Sequence, residues 1–150
     1  MKQGYSELYR SLKKHKVKYL LVGGMAAVLY GSPRLTKDVD ILIEPSLANI
    51  NRLLKALADA GFGTAALTSA KKVLANEVTI FDDYVRLDVL AKIKGVDFKK
   101  GWKSRWVVNL GGIRVPVLGL SDLIRAKKAS GRQIDLQDVR TLNKIKRLSH

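Results

Sequence analysis

Residues 19–43 read YLLVGGMAAVLYGSPRLTKDVDILI, and the order of patterns within them decides the architecture. An apolar run, Tyr19-Leu20-Leu21-Val22, stops at Gly23-Gly24. A short helix-like stretch from Met25 to Tyr30 follows and is closed by Gly31. Pro33 blocks further helix and biases Ser32 towards an extended backbone. A polar loop with Arg34, Thr36 and Lys37 then leads into Asp38-Val39-Asp40 and the apolar Ile41, Leu42 and Ile43. Side chains on a strand alternate faces, so Asp38 and Asp40 share one side and Val39 takes the other. Two carboxylates so placed repel each other unless a positive group sits between them. A divalent cation satisfies both, and Mg²⁺ prefers hard oxygen donors of this kind. Asp-x-Asp also occurs in plain surface turns, and Gly-Gly in ordinary tight turns. Here the two lie close together, and a glycine turn opening a helix offers N–H groups and a positive dipole end to a phosphate.

On the N-terminal side, Tyr5, Leu8, Tyr9 and Leu12 recur at helical spacing, which predicts an amphipathic helix from Tyr5 to His15. Arg10, Lys13, Lys14 and Lys16 make its other face basic. His15 could act as a base, although one histidine near a helix end is ordinarily solvated. Downstream, Glu44-Pro45 closes the Asp-bearing strand. Ser46 is placed to cap a helix with the stripe Ile50, Leu53, Leu54, Leu57 and Ala60, ended by Gly61. Gly63 to Ala75 is small and polar and reads as a loop. Glu77 to Phe81 and Tyr84 to Leu90 read as strands joined at Asp82-Asp83, a turn signal rather than a site.

Asp88 stands among apolar residues in the middle of that second strand, where a lone carboxylate needs a partner. Arg86, on the same face, is one. A metal shared with Asp38 and Asp40 is the other, provided that the two strands are neighbours. Further on, Arg105 to Leu110 and Ile113 to Leu118 flank Gly111-Gly112, a second hairpin signal. Trp102 and Trp106 nearby fit either packing or stacking on a base. Ser121 is placed to cap a helix ending at Ser130-Gly131. A last helix, Ile134 to Leu148, has Leu136, Val139, Leu142 and Ile145 as its stripe. Asp135 and Asp138 lie in its first turns, where negative charge suits the helix dipole.

Composition narrows the class. The chain has 150 residues, 47% hydrophobic and 27% charged, which suits one globular domain spanning 1–150. No apolar stretch has the length of a bilayer span and the N-terminus lacks a signal-peptide centre, so a cytoplasmic protein with no membrane contact is expected. Without cysteine there is no disulfide, thiolate zinc site or cysteine nucleophile. The formal charge is +15 and uneven: residues 1–91 carry +4 and residues 92–150 carry +11. Such a surface attracts nucleic acid or nucleotide, or else only keeps the protein dispersed. The Gly-Gly fits neither a phosphate-loop signature nor G-x-G-x-x-G, which excludes those nucleotide-binding classes.

Gly23-Gly24, Tyr30-Gly31, Arg34-x-Thr36 and Asp38-x-Asp40 together resemble the nucleotidyltransferase superfamily of the DNA polymerase β type, nearest its AbiEii-like and minimal nucleotidyltransferase branches. The segment from Val115 to Val139, with a helical Lys127 and Gly131-Arg132-x-x-Asp135, resembles the C-terminal part of the AbiEii-like branch. The resemblance implies an α/β (α+β) fold: a mixed sheet with flanking helices and a C-terminal helical pair. It implies a third acid on a neighbouring strand, and Asp88 matches. Asp38, Asp40 and Asp88 are then the catalytic and metal-binding residues, holding two Mg²⁺ ions (Mn²⁺ is the alternative) roughly 4 Å apart around an in-line displacement. Gly23, Gly24, Arg34, Thr36, Lys37 and Lys127 would bind the nucleoside triphosphate. The implied acceptor is RNA, such as a tRNA end, as for toxins of the branch. The alternatives are a partner protein, as for antitoxins, a small molecule, as for antibiotic-modifying relatives, or a binding module without turnover.

Overall fold

Period-two strands and capped amphipathic helices assemble into an α/β fold in the computed structural model, which describes residues 3–149. The chain runs through α1 (Gln3–Lys14), β1 (Tyr19–Val22), α2 (Gly23–Tyr30), β2 (Val39–Ile43) and α3 (Leu47–Asp59). A 3-10 turn (Gly63–Leu67), α4 (Ala70–Ala75), β3 (Val78–Asp82), β4 (Arg86–Leu90) and α5 (Phe98–Lys103) follow. The last elements are β5 (Trp106–Leu110), β6 (Ile113–Val117), α6 (Leu120–Ser130) and α7 (Gln133–Leu148).

The strands form one mixed sheet in the order β3-β4-β2-β1-β6-β5. β1 is antiparallel to β2 and parallel to β6, while β2 is parallel to β4. The hairpins β3–β4 and β5–β6 are antiparallel and supply the two edges. β1 lies near the centre because all four of its residues are buried, as an unbroken apolar run requires. β4 alternates instead, and β2 is buried throughout except at Asp40. Val39, Ile41, Leu87 and Val89 are buried on one face, and Asp40 and Asp88 fall on the other. α1 packs on α3 and β6, and Leu8, Leu12, Ile50, Leu53 and Leu57 join the strands in one hydrophobic core. Each such side chain contributes about 1.5–3 kcal/mol when fully buried. Ser46 caps α3 as expected, accepting from the Asn49 N–H at 3.2 Å. Among the described residues no helix is long and apolar enough to cross a membrane.

Three local expectations are corrected. Gly63 to Ala75 is not a loop: it forms the 3-10 turn and α4, because Ala65, Ala70 and Val73 bury their small side chains and Ser69 caps α4. Ser121 is not the cap of α6. The helix begins at Leu120 after Gly119, where any Cβ would come within 2.9 Å of the Ser104 carbonyl oxygen, so Ser121 lies exposed in the first turn. Leu136 is exposed, since α7 turns Asp135, Asp138, Val139 and Leu142 inward instead.

Candidate active site

The register of the sheet brings distant acids together. Asp40 and Asp88 are direct partners across the parallel β2–β4 pair, and in-register neighbours project from the same face. Asp38, one residue before β2, is exposed beside them. All three line a cavity of about 640 Å³ together with Gly23, Gly24, Arg34, Thr36 and Lys127. Lys37 is exposed and does not line it. His15 is also elsewhere, 2.5 Å from Asp59 on the outer surface.

Helix α2 opens directly onto the carboxylates. Gly23 adopts φ +69°, and a Cβ there would lie 2.1 Å from Asp40 Oδ2. A Cβ on Gly24 would lie 2.0 Å from Arg34 Nη2. Both glycines are therefore required by the close approach of a carboxylate and a guanidinium to the backbone. The helix has Val22 at its cap and no side-chain cap bond, so its first N–H groups have no side-chain acceptor there. The other end is closed by left-handed Gly31, as the sequence predicts.

A buried ion network flanks the cavity. Lys127 is 4% exposed, with Nζ 2.8 Å from Asp138 Oδ2 and 3.4 Å from Asp135 Oδ1. Asp138 also faces Arg34 Nη1 at 3.6 Å, so Arg34 pairs with α7 rather than with Asp38 or Asp40. The buried Arg34 Nε has no partner among the described residues. Asp135 accepts from Ser130 Oγ at 2.5 Å and Arg132 Nε at 2.7 Å. Burial alone would raise its pKa, but these hydrogen bonds and the charges of Lys127 and Arg132 outweigh that and lower it. Asp135 lies in the first turn of α7 and pairs with Arg132, as the sequence suggests, and both it and Asp138 are buried and also neutralise Lys127.

The Asp38-Asp40-Asp88 group is compensated much less. Burial first, then the charges of Asp88 and Asp38, push the Asp40 carboxyl up to about 6, although Lys127 and Arg132 pull the other way. Among the described residues, Asp88 pairs with Arg86, whose Nε is 3.0 Å from its Oδ1. Among the described residues no three acidic, imidazole or thiol groups are gathered closely enough to hold a metal as they stand. The donor chemistry nonetheless fits a hard divalent ion: three carboxylates face one cavity, and the middle one resists ionisation because it is buried and lies beside the other two.

Sequence reasoning missed Lys92 and Lys94, which also line the cavity. No strand periodicity marked them, because β4 ends at Leu90 and Lys94 lies in the turn that follows.

Known proteins share this architecture. A lincosamide antibiotic adenylyltransferase, in its lincomycin-bound crystal structure, superposes with a TM-score of 0.60 at 16% identity, covering 97% of this chain and 98% of that one. A nucleotidyltransferase-like antigenic protein from Paracoccidioides brasiliensis gives a TM-score of 0.61 at 20% identity, over 91% of this chain and 72% of that one. A Thermotoga maritima protein described as a nucleotidyltransferase gives 0.57 at 18% identity, over 93% and 91%. At these identities the likeness establishes the fold alone. No curated protein matches the sequence. Residues 5–150, however, match the family described as nucleotidyltransferase of unknown function (DUF6036). The chain therefore belongs to a nucleotidyltransferase family, and its carboxylate cavity opens at the start of the helix that follows the first strand.

Proposed function

We propose that this protein moves a nucleoside monophosphate from a nucleoside triphosphate to an acceptor hydroxyl at the Asp38-Asp40-Asp88 cavity. The observation that carries this reading is the in-register pairing of Asp40 with Asp88 directly beneath the uncapped start of α2. The N–H groups of Gly23 and Gly24 bind phosphate oxygens there. Arg34 and Thr36 hold the β and γ phosphates, while Lys127, paired with Asp138 and Asp135 at the cavity wall, and Lys37, next to Asp38, add positive charge. Asp38, Asp40 and Asp88 would hold Mg²⁺, which when bound supplies charge neutralisation for the triphosphate and the leaving pyrophosphate. The acceptor oxygen bonds to the α-phosphorus as the bond from that phosphorus to the bridging oxygen breaks. The acceptor proton passes to Asp88. The +11 charge of residues 92–150 supports RNA as the acceptor, and the helical Lys127 with Gly131-Arg132-x-x-Asp135 supports a place near the AbiEii-like branch.

The test is label transfer. The protein is incubated with each α-labelled nucleoside triphosphate, Mg²⁺, total RNA and cell proteins, with Asp40→Asn as control. Label on RNA that the variant loses is the expected result. Label on a polypeptide moves the acceptor to a partner protein, and label on a small molecule aligns the chain with antibiotic-modifying enzymes. Full transfer by Asp40→Asn removes the carboxylates from the mechanism.

A further inference from the structure

The period-two face that carries the carboxylates continues past them. On β2, Asp40 is followed on the same side by Leu42 and then Glu44, roughly 7 and 13 Å further along at the rise of a strand. Leu42 and Glu44 line a second cavity of about 890 Å³, larger than the first and adjoining it, since Glu77 and Lys92 line both. Its apolar wall includes Phe98 and Trp102, whose rings stack at 5.8 Å between centroids and 19° between planes. Lys18, Lys92, Lys99 and Lys103 line it as well. Two of its acids are already engaged: Glu44 accepts from Ser46 and faces Lys18 at 3.8 Å, and Asp97 caps α5. Trp102 then borders a third, smaller cavity, which holds Lys13, Arg105 and Arg114 and no acid. Arg105 lies 4.0 Å over the Trp102 ring and Lys18 5.6 Å from it.

Resting on the transfer reading above, we propose that this continuous trough is the binding track for a single-stranded RNA acceptor, with its reacting end at Asp40 and Asp88 and its body on a cationic ledge around Trp102. Strand-binding proteins combine a positive groove for the backbone with aromatic faces for the bases, and both lie here on one path. The mostly unpaired positive charge selects a polyanion. The aromatic pair selects one with flat bases over an acidic peptide.

The chain contains two tryptophans. Trp106 packs on Tyr30 at 4.6 Å, so Trp106→Phe keeps an aromatic there and leaves Trp102 as the reporter. In that background, a single-stranded RNA of about twelve nucleotides is expected to change the fluorescence of Trp102. Adding Lys99→Glu, Lys103→Glu and Arg105→Glu, all at exposed positions, should weaken RNA binding by about tenfold or more and flatten its salt slope by about 2. Binding of a fluorescent nucleoside triphosphate should stay at the level of the parent. The Lys99→Glu/Lys103→Glu pair spares the Arg105 contact and should flatten the slope by about 1.4, which keeps the test decisive if the triple variant does not fold. Unchanged RNA affinity in both variants, or competition by polyglutamate as effective as that by RNA, overturns the track. Asp40→Asn separates the two claims. It should retain RNA binding at Trp102 while losing transfer, whereas full transfer in that variant sinks the catalytic reading and leaves the ledge standing.

Discussion

Two groups of carboxylates gather in and beside one cavity and behave in opposite ways. Asp135 and Asp138 are nearly inaccessible, yet Asp135 is held ionised by Ser130, Arg132 and Lys127. Asp40 is less buried, and its carboxyl is pushed up to about 6 by burial and by Asp88 and Asp38. Burial opposes ionisation in both; at Asp135 the hydrogen bonds from Ser130 and Arg132 and the charges of Lys127 and Arg132 outweigh it, whereas at Asp40 the charges of Asp88 and Asp38 add to it. Lys127 sits 2.8 Å from Asp138, while among the described residues the cation paired with the Asp38-Asp40-Asp88 group is Arg86, bonded to Asp88 on β4. Acids that bring their own counter-ions hold helices together. Acids crowded without enough of them store repulsion that a bound cation relieves.

The sharpest way to break this contrast is Asp40→Asn. Transfer is expected to fall by on the order of 10³-fold or more, as when a preorganised electrostatic group is lost, while the thermal midpoint rises because a repelled carboxylate is gone. A fall in the midpoint would show that the Asp40 charge is compensated after all. In the other group, Lys127→Met removes the buried cation shared by Asp135 and Asp138, leaving Asp138 the 3.6 Å contact to Arg34 and Asp135 its bond to Arg132. The loss should destabilise by about 3 kcal/mol, read by urea unfolding. A neutral result would make that network ornamental. Gly23→Ala touches the crowded group through the backbone. A left-handed alanine costs about 1–3 kcal/mol, and displacing Asp40 should reduce transfer by roughly 10²-fold, with single-turnover rates as the measure. The smallest effect is on pH. Because the folded Asp135 pKa is lowered, its contribution is present above the unfolded value and is lost as pH falls through the folded one. Urea midpoints between about pH 5 and 2 should therefore decline in the parent and decline less in Asp135→Asn.

Much of this was legible from residues 19–43, because strand alternation is local. Asp38 and Asp40 share a face by geometry alone, and Asp88 stood out as an acid in an apolar run. The rest was not legible, because it depends on partners far away in sequence. The helix dipole and a local pairing with Arg132 accounted for Asp135 in sequence, so nothing called for Lys127, which α6 delivers from eight or more positions upstream. Gly23-Gly24 was read as a place where a ligand comes close to the backbone. The groups that approach it in the folded chain, Asp40 and Arg34, come from beyond the next turn. Gly63 to Ala75 lacked a large apolar residue at any regular interval, so its burial through alanine and one valine left no pattern to read.

The fit of Asp40 against Gly23 also carries an evolutionary consequence. Two restraints act on position 23, and they can be relaxed separately. A left-handed φ of +69° admits asparagine or aspartate as well as glycine, but a Cβ 2.1 Å from Asp40 Oδ2 excludes both as long as that carboxylate is present. The two positions are therefore coupled across generations. Relatives that keep an aspartate at position 40 are held to glycine at 23, and lineages that shorten position 40 are the ones free to drift.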